Sequence, residues 1–290
     1  MSEEQRPRRH WLFRKGRWPR PLALCALCSG LLLTFGAAAL SAYVARLGPL
    51  DLSAAERRST VVLDREERLL RPFASEDGRW RLPIATSDVD PRYLAMLEAY
   101  EDARFRKHQG VDLLALGRAL GQLATHGRVI SGGSTLTMQV ARLLEPREER
   151  SLAAKLRQVV RAVQLERKLS KAEILTLYLS LAPYGGNLEG ARAAALSYFG
   201  REPKRLSFAE AALLVALPQA PEMRRPDRFA EVARRARDRV LDRVAAAGVI
   251  TPEEAAAAKG EPVPTGRRPF PMLAAHLAEA TAAEGSASRA

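Results

Sequence analysis

The stretch DPRYLAMLEAYEDARFRKHQG, residues 90–110, decides how this chain is read. Asp90 can accept from the orphan N–H groups of a helix start, and Pro91 at the first helical position loses nothing by lacking an N–H. An apolar stripe follows through Leu94, Leu97 and Phe105. Glu101 falls four residues after Leu97 and His108 seven after Glu101, so on a continuous helix acid, ring and imidazole would share one face. A carboxylate on an apolar stripe is costly unless something uses it. An arginine partner would explain Glu101 if it stood alone; a reaction would explain it otherwise.

The surrounding chain has 290 residues, 47% of them hydrophobic, enough for one core of globular size or a core plus an anchor. Its formal charge of +13 suits nucleic acid, an anionic membrane surface or a phosphate-bearing substrate. Aromatic residues are 6% and sparse among the basic ones, and no nucleic-acid signature occurs, so no nucleic-acid partner is expected. The basic excess is concentrated in residues 1–20, where seven Arg and Lys face only Glu3 and Glu4. Directly afterwards the chain is uncharged from Pro21 to Ala45, long enough to cross a bilayer as a tilted helix. Basic residues before it place the N-terminus in the cytoplasm and the body from Leu50 onward outside. A cleaved signal peptide, with small residues at Ala37–Ala39, competes, but the apolar run exceeds the usual signal length. Cys25 and Cys28 both lie inside that run and read as small apolar residues of a span, with no disulfide or zinc site implied.

Residues 60–83 alternate short apolar runs around the turn-like SEDG, which reads as a small hairpin. After Asp90 the pattern is helical almost throughout. Capping boxes stand at Ser170/Glu173, Ser207/Glu210 and Thr251/Glu254, with stops at Pro183, Pro218 and Gly260. GARAAALSYFG, residues 190–200, reads as a small-residue helix built for close packing. The segment from Glu261, rich in proline and basic residues and then alanine, reads as a linker or frayed end. In VDLLALGRALGQLATHGRVI, residues 111–130, Leu113, Leu114, Leu116, Leu120 and Leu123 accompany Arg118 and Arg128. That mix suits either a bilayer surface or a core-facing helix.

SGGSTLTMQVAR, residues 131–142, frees the backbone at Gly132 and Gly133 and supplies hydroxyl and amide groups at Ser134, Thr135, Thr137 and Gln139. By itself it is equally a turn followed by a helix cap. Together, however, EDARFRKHQG, GGSTLTMQ and ILTLYLSLAPYGGNLEGARAAALSYFG appear in order, and over roughly Val62 to Val249 the chain closely resembles the peptidoglycan glycosyltransferases, glycosyltransferase family 51, the polymerase module of class A penicillin-binding proteins.

That resemblance implies a mainly α, lysozyme-like glycosyltransferase domain with an N-terminal transmembrane helix and a small β-hairpin. It would be a single-pass protein of the bacterial inner membrane with a periplasmic catalytic domain. The expected substrates are lipid II and the growing glycan strand, with other cell-wall synthesis proteins as candidate partners. The organisation implied is a basic tail over 1–20, an anchor over 21–45, a glycosyltransferase domain over 50–250, and a linker or tail over 251–290. No transpeptidase domain is expected, since no serine is followed by lysine three positions later and KTG is absent.

By the same resemblance Glu101 is the general base, made more basic by partial desolvation beside Phe105. Arg142, Arg150 and Lys155 are the cations that would meet a polyprenyl pyrophosphate leaving group; each reads equally well as ordinary solvated helix charge. Asp102, Phe105, His108, Gly132, Gly133, Ser134, Thr135, Thr137 and Gln139 complete the expected substrate-binding set, and a divalent cation such as magnesium is the only cofactor implied. The chain departs from the family at two positions, with Ala154 in place of an arginine and Gln158 in place of the second glutamate. Glu173 does not restore that acid, because it is committed to the Ser170 capping box and the required position holds Lys171. Gln158 is therefore the counterpart in the catalytic pair. Two alternatives follow: a degenerate module acting as a scaffold, and a lytic enzyme that cuts glycan instead of extending it.

Overall fold

The computed structural model describes residues 20–126, 133–146 and 151–287. The chain divides after Pro49. Before that point, α1 (Arg20–Leu47) is one helix carrying its apolar side chains outward, among them Leu31, Leu32, Leu33 and Phe35. Its Leu27–Leu47 portion is long and apolar enough to cross a membrane.

The body from Leu50 opens with a short helix, α2 (Ser53–Glu56), and an antiparallel pair, β1 (Val61–Leu63) and β2 (Leu69–Pro72). The hairpin expected over 60–83 is present, but its turn is Asp64–Arg68, not SEDG. Asp64 Oδ1 accepts from the N–H groups of Glu66 at 3.0 Å and Arg68 at 2.8 Å, and Glu67 takes φ 62°. SEDG makes a second turn, with Gly78 at φ 73°, that leads into β3 (Trp80–Arg81). This strand pairs in parallel with β4 (Leu188–Glu189), far along the chain.

The remainder is helical. Asp90 and Pro91 start α3 (Pro91–Glu101) as read, with the Asp90 carboxylate accepting from Arg92 N. The helix ends at Glu101, however, and only a 3₁₀ turn at Phe105–Lys107 follows. The expected single face through His108 therefore does not form. Asp102 leaves helical geometry and its carboxylate accepts from Leu136 N at 2.9 Å and meets His108 Nε2 at 3.0 Å. Next come α4 (Leu113–His126), α5 (Leu136–Leu144) and α6 (Leu152–Lys168). Leu113 and Leu114 are 75% and 62% exposed, so this part of α4 does not pack in the core. The side chains of Leu120 and Leu123, and Arg128 itself, lie outside the described residues.

The last half follows its capping chemistry closely. All three capping boxes form, opening α7 (Lys171–Leu181), α9 (Phe208–Ala216) and α11 (Pro252–Gly260). Between the first two lies α8 (Ala191–Phe199), buried except at Arg192, and α10 (Ala230–Ala246) precedes α11. Gly190 before α8 has φ 84°, and a Cβ there would stand 2.9 Å from Ser180 O, so the close packing requires glycine. The apolar helix α9 sits at the centre, against α3, α8, α10 and α11.

The segment from Glu261 corrects the expectation of a linker or frayed end. Arg268 N donates to Ser197 O at 2.6 Å, Arg267 Nη2 donates to Gly185 O at 2.8 Å, and the Phe270 ring packs tilted against Trp80 at 4.6 Å between centroids. It ends in α12 (Ala275–Ala287), which packs on β1 and β2 with Glu279 paired to Arg71 at 2.9 Å. Its partners are distant in sequence, so composition alone could not reveal them.

Candidate active site

Glu101, the last residue of α3, is half-buried and held at both carboxylate oxygens. Gln139 Nε2, from α5, donates to Oε2 at 2.8 Å; Gln219 Nε2, from the 3₁₀ turn Leu217–Gln219 after α9, donates to Oε1 at 2.6 Å. The other end of the Gln219 amide accepts from Arg224 Nη1 at 3.0 Å, and the same nitrogen donates to Ala216 O at 2.6 Å. Beneath Glu101 lie Tyr93 and Tyr178, whose phenols are pushed up, first by burial and also by the Glu101 charge.

The next residue, Asp102, does a different job. With His108 it is buried, and its bond to Leu136 N fixes the start of α5. Thr135 caps that helix by accepting from Met138 N at 3.1 Å, while its hydroxyl donates to Gly110 O at 2.6 Å. Thr137 is fully buried and donates to Glu166 Oε1 at 2.6 Å. Lys171 Nζ donates to the same oxygen at 2.6 Å and to His108 O at 2.7 Å, and lies 4.5 Å from the centroid of the buried Phe105 ring. Asp102, Phe105, His108, Thr135 and Thr137 are thus brought together as the frame behind Glu101.

The cations gather along α5 and α6. Arg142 stands one turn after Gln139, and with Gln158, Ala154 and Arg157 it lines a hollow closed by the Glu145–Arg161 pair, 2.7 Å apart. Lys155 Nζ donates to Ser134 Oγ at 3.2 Å. Desolvation, and then repulsion from Arg142, push the Lys155 ammonium below the ordinary lysine value. Gly133 is half-buried just before these groups; Gly132 and Arg150 lie outside the described residues.

No three of the His, Cys, Asp and Glu side chains among the described residues are grouped to hold a metal ion. With Gln158 neutral, the described residues lining this hollow offer one carboxylate, Glu145, which is paired to Arg161, and so do not fit a divalent cation. The sequence reading missed Gln219 and Arg224. Both stand in ALPQAPEMRRP, residues 216–226, and no local pattern shows that this turn reaches a glutamate at the far end of another helix.

A sequence model of the transglycosylase family matches residues 66–245. The chain belongs to the transglycosylase family. Among relatives of this transglycosylase, penicillin-binding protein 1C of Escherichia coli K12 is 50% identical over 229 residues, 79% of this chain and 30% of that protein. Penicillin-binding protein 1A of Pseudomonas aeruginosa is 37% identical over 197 residues, 65% of this chain and 24% of that protein. The solved penicillin-binding protein 1A of Haemophilus influenzae aligns at a TM-score of 0.40 and 20% identity, covering 79% of this chain and 24% of that one. The chain therefore spans less than a third of the length of the curated relatives it matches.

Proposed function

We propose that this transglycosylase is a membrane-anchored peptidoglycan glycosyltransferase that polymerises lipid II, with Glu101 as general base. Glu101 takes the proton from the 4-hydroxyl of the acceptor N-acetylglucosamine while that oxygen attacks C1 of the donor N-acetylmuramic acid. The donor carbon inverts, and polyprenyl pyrophosphate leaves toward Arg142 and Lys155, with Arg150 as a further cation. The observation carrying this reading is that the acid at the end of α3 is held by two neutral amides, one of them Gln139 on α5, while Arg142 stands one turn after Gln139 and Lys155 faces it from α6. A base fixed by amides keeps its charge available for a proton, whereas cations suit the charge that develops on the leaving group.

In this reading α1 spans the inner membrane with the N-terminus cytoplasmic, and the body works in the periplasm beside other cell-wall synthesis proteins. Exposed Leu113, Leu114 and Leu116, with Arg118 nearby, suit α4 to the headgroup boundary from which a lipid-linked substrate arrives. Gln158 favours a second reading, a catalytically silent scaffold, because it cannot carry the charge of a second acid. Purified anchored protein given labelled lipid II separates the cases. Polymer supports the glycosyltransferase, cleavage of preformed glycan supports a lytic enzyme, and neither product supports the scaffold.

A further inference from the structure

The geometry points to Gln219 and Arg224 as a positioning pair that holds the Glu101 carboxylate in one orientation across the ends of α3 and α9. The proposal rests on Glu101 being the base. Three rotatable bonds separate its carboxylate from the backbone, so a single productive orientation needs partners on both oxygens. Gln139 supplies one from α5, and Gln219 supplies the other from a turn 118 residues further along the chain.

An exposed glutamine would ordinarily be free to rotate its amide. Here the amide can serve both neighbours in only one sense, with its NH₂ group toward the carboxylate and its oxygen toward the guanidinium. Arg224 Nη1 donates to Gln219 Oε1 at 3.0 Å and is itself tied to Ala216 O at 2.6 Å, at the carboxyl end of α9, where unpaired carbonyls attract cations. The line from Ala216 through Arg224 and Gln219 to Glu101 thus fixes the acid against the central helix. It does so without placing a cation on the acid, since the guanidinium bonds the amide and the amide bonds the carboxylate. Arg224 acts through Gln219, and Gln219 through Glu101.

The test is a kinetic cycle on the full anchored protein with labelled lipid II. Because hydrogen bonds to charged groups are among the stronger ones, Gln219→Leu should lower kcat about tenfold and leave KM and the melting temperature unchanged. Arg224→Met should give a smaller loss of the same kind. In a Glu101→Gln background, where no base is left to orient, Gln219→Leu should cause no further loss. A parental kcat for Gln219→Leu would overturn the proposal, as would a loss confined to KM, which would make Gln219 a substrate-binding group. Equal losses in the two backgrounds would overturn it too. If Glu101→Gln itself turned over at the parental rate, the base assignment would fail, and the pair would lose its function with it.

Discussion

Thr137 and Gln139 stand two residues apart on α5, and each donates to a glutamate on another helix, yet the two glutamates have opposite surroundings. Glu166, on α6, meets a buried hydroxyl and the Lys171 ammonium, which also reaches His108 O and the Phe105 ring. Its charge is neutralised, and it ties α5, α6, α7 and the loop after α3 into one block. Glu101 is bonded by two neutral amides and stays half-open. An acid neutralised inside a block belongs to the framework, while an acid oriented and left uncompensated is prepared to take a proton.

The contrast can be broken from either side. The largest effect is expected at Glu101, where Glu101→Gln should lower lipid II turnover by about 10²–10⁴-fold while the melting curve stays in place. Glu166→Ala should do the reverse. Removing one partner of a part-buried ion pair leaves Lys171 and the Thr137 hydroxyl uncompensated, so urea unfolding should show a loss of about 2 kcal/mol, with turnover per folded molecule retained. Asp90→Asn should cost about 1–2 kcal/mol. Burial opposes the Asp90 charge, but bonds from Arg92 and from Leu206 N outweigh it and hold the carboxyl below its ordinary value of 3.8. A carboxylate lowered in the folded state stabilises above its unfolded value and loses that contribution as pH falls through the folded value. The gap in stability between parent and Asp90→Asn should therefore be widest near neutrality and close in acid. The smallest effect is expected for Gln158→Glu, which sets a carboxylate among Arg142 and Arg157 and should lower turnover only a few-fold, as read by initial rates.

Those predictions draw unequally on the sequence. The cap at Asp90, the three capping boxes and the tight helix after Gly190 were legible because each is a local arrangement of a few residues. Glu101 and its link to the GGST block came from the order of the motifs. The end of α3 at Glu101 was not legible, because Asp102 is drawn out of the helix by Leu136 N and His108, groups that periodicity does not weigh. The docking of Phe270 on Trp80 and the reach of Gln219 to Glu101 join residues more than a hundred positions apart. Both were invisible for the same reason: nothing local in a proline-rich segment or in a PQAP turn specifies what it will touch.

In the proposed reaction one carboxylate, Glu101, works as the base, and Gln158 supplies no second acid. A retaining reaction needs a carboxylate nucleophile beside the acid–base group, whereas a single base activating the acceptor displaces the leaving group directly. The most direct measurement is the configuration at the donor carbon in polymer formed from labelled lipid II, read by NMR. Inversion is expected; retention would rule out direct displacement by a single base.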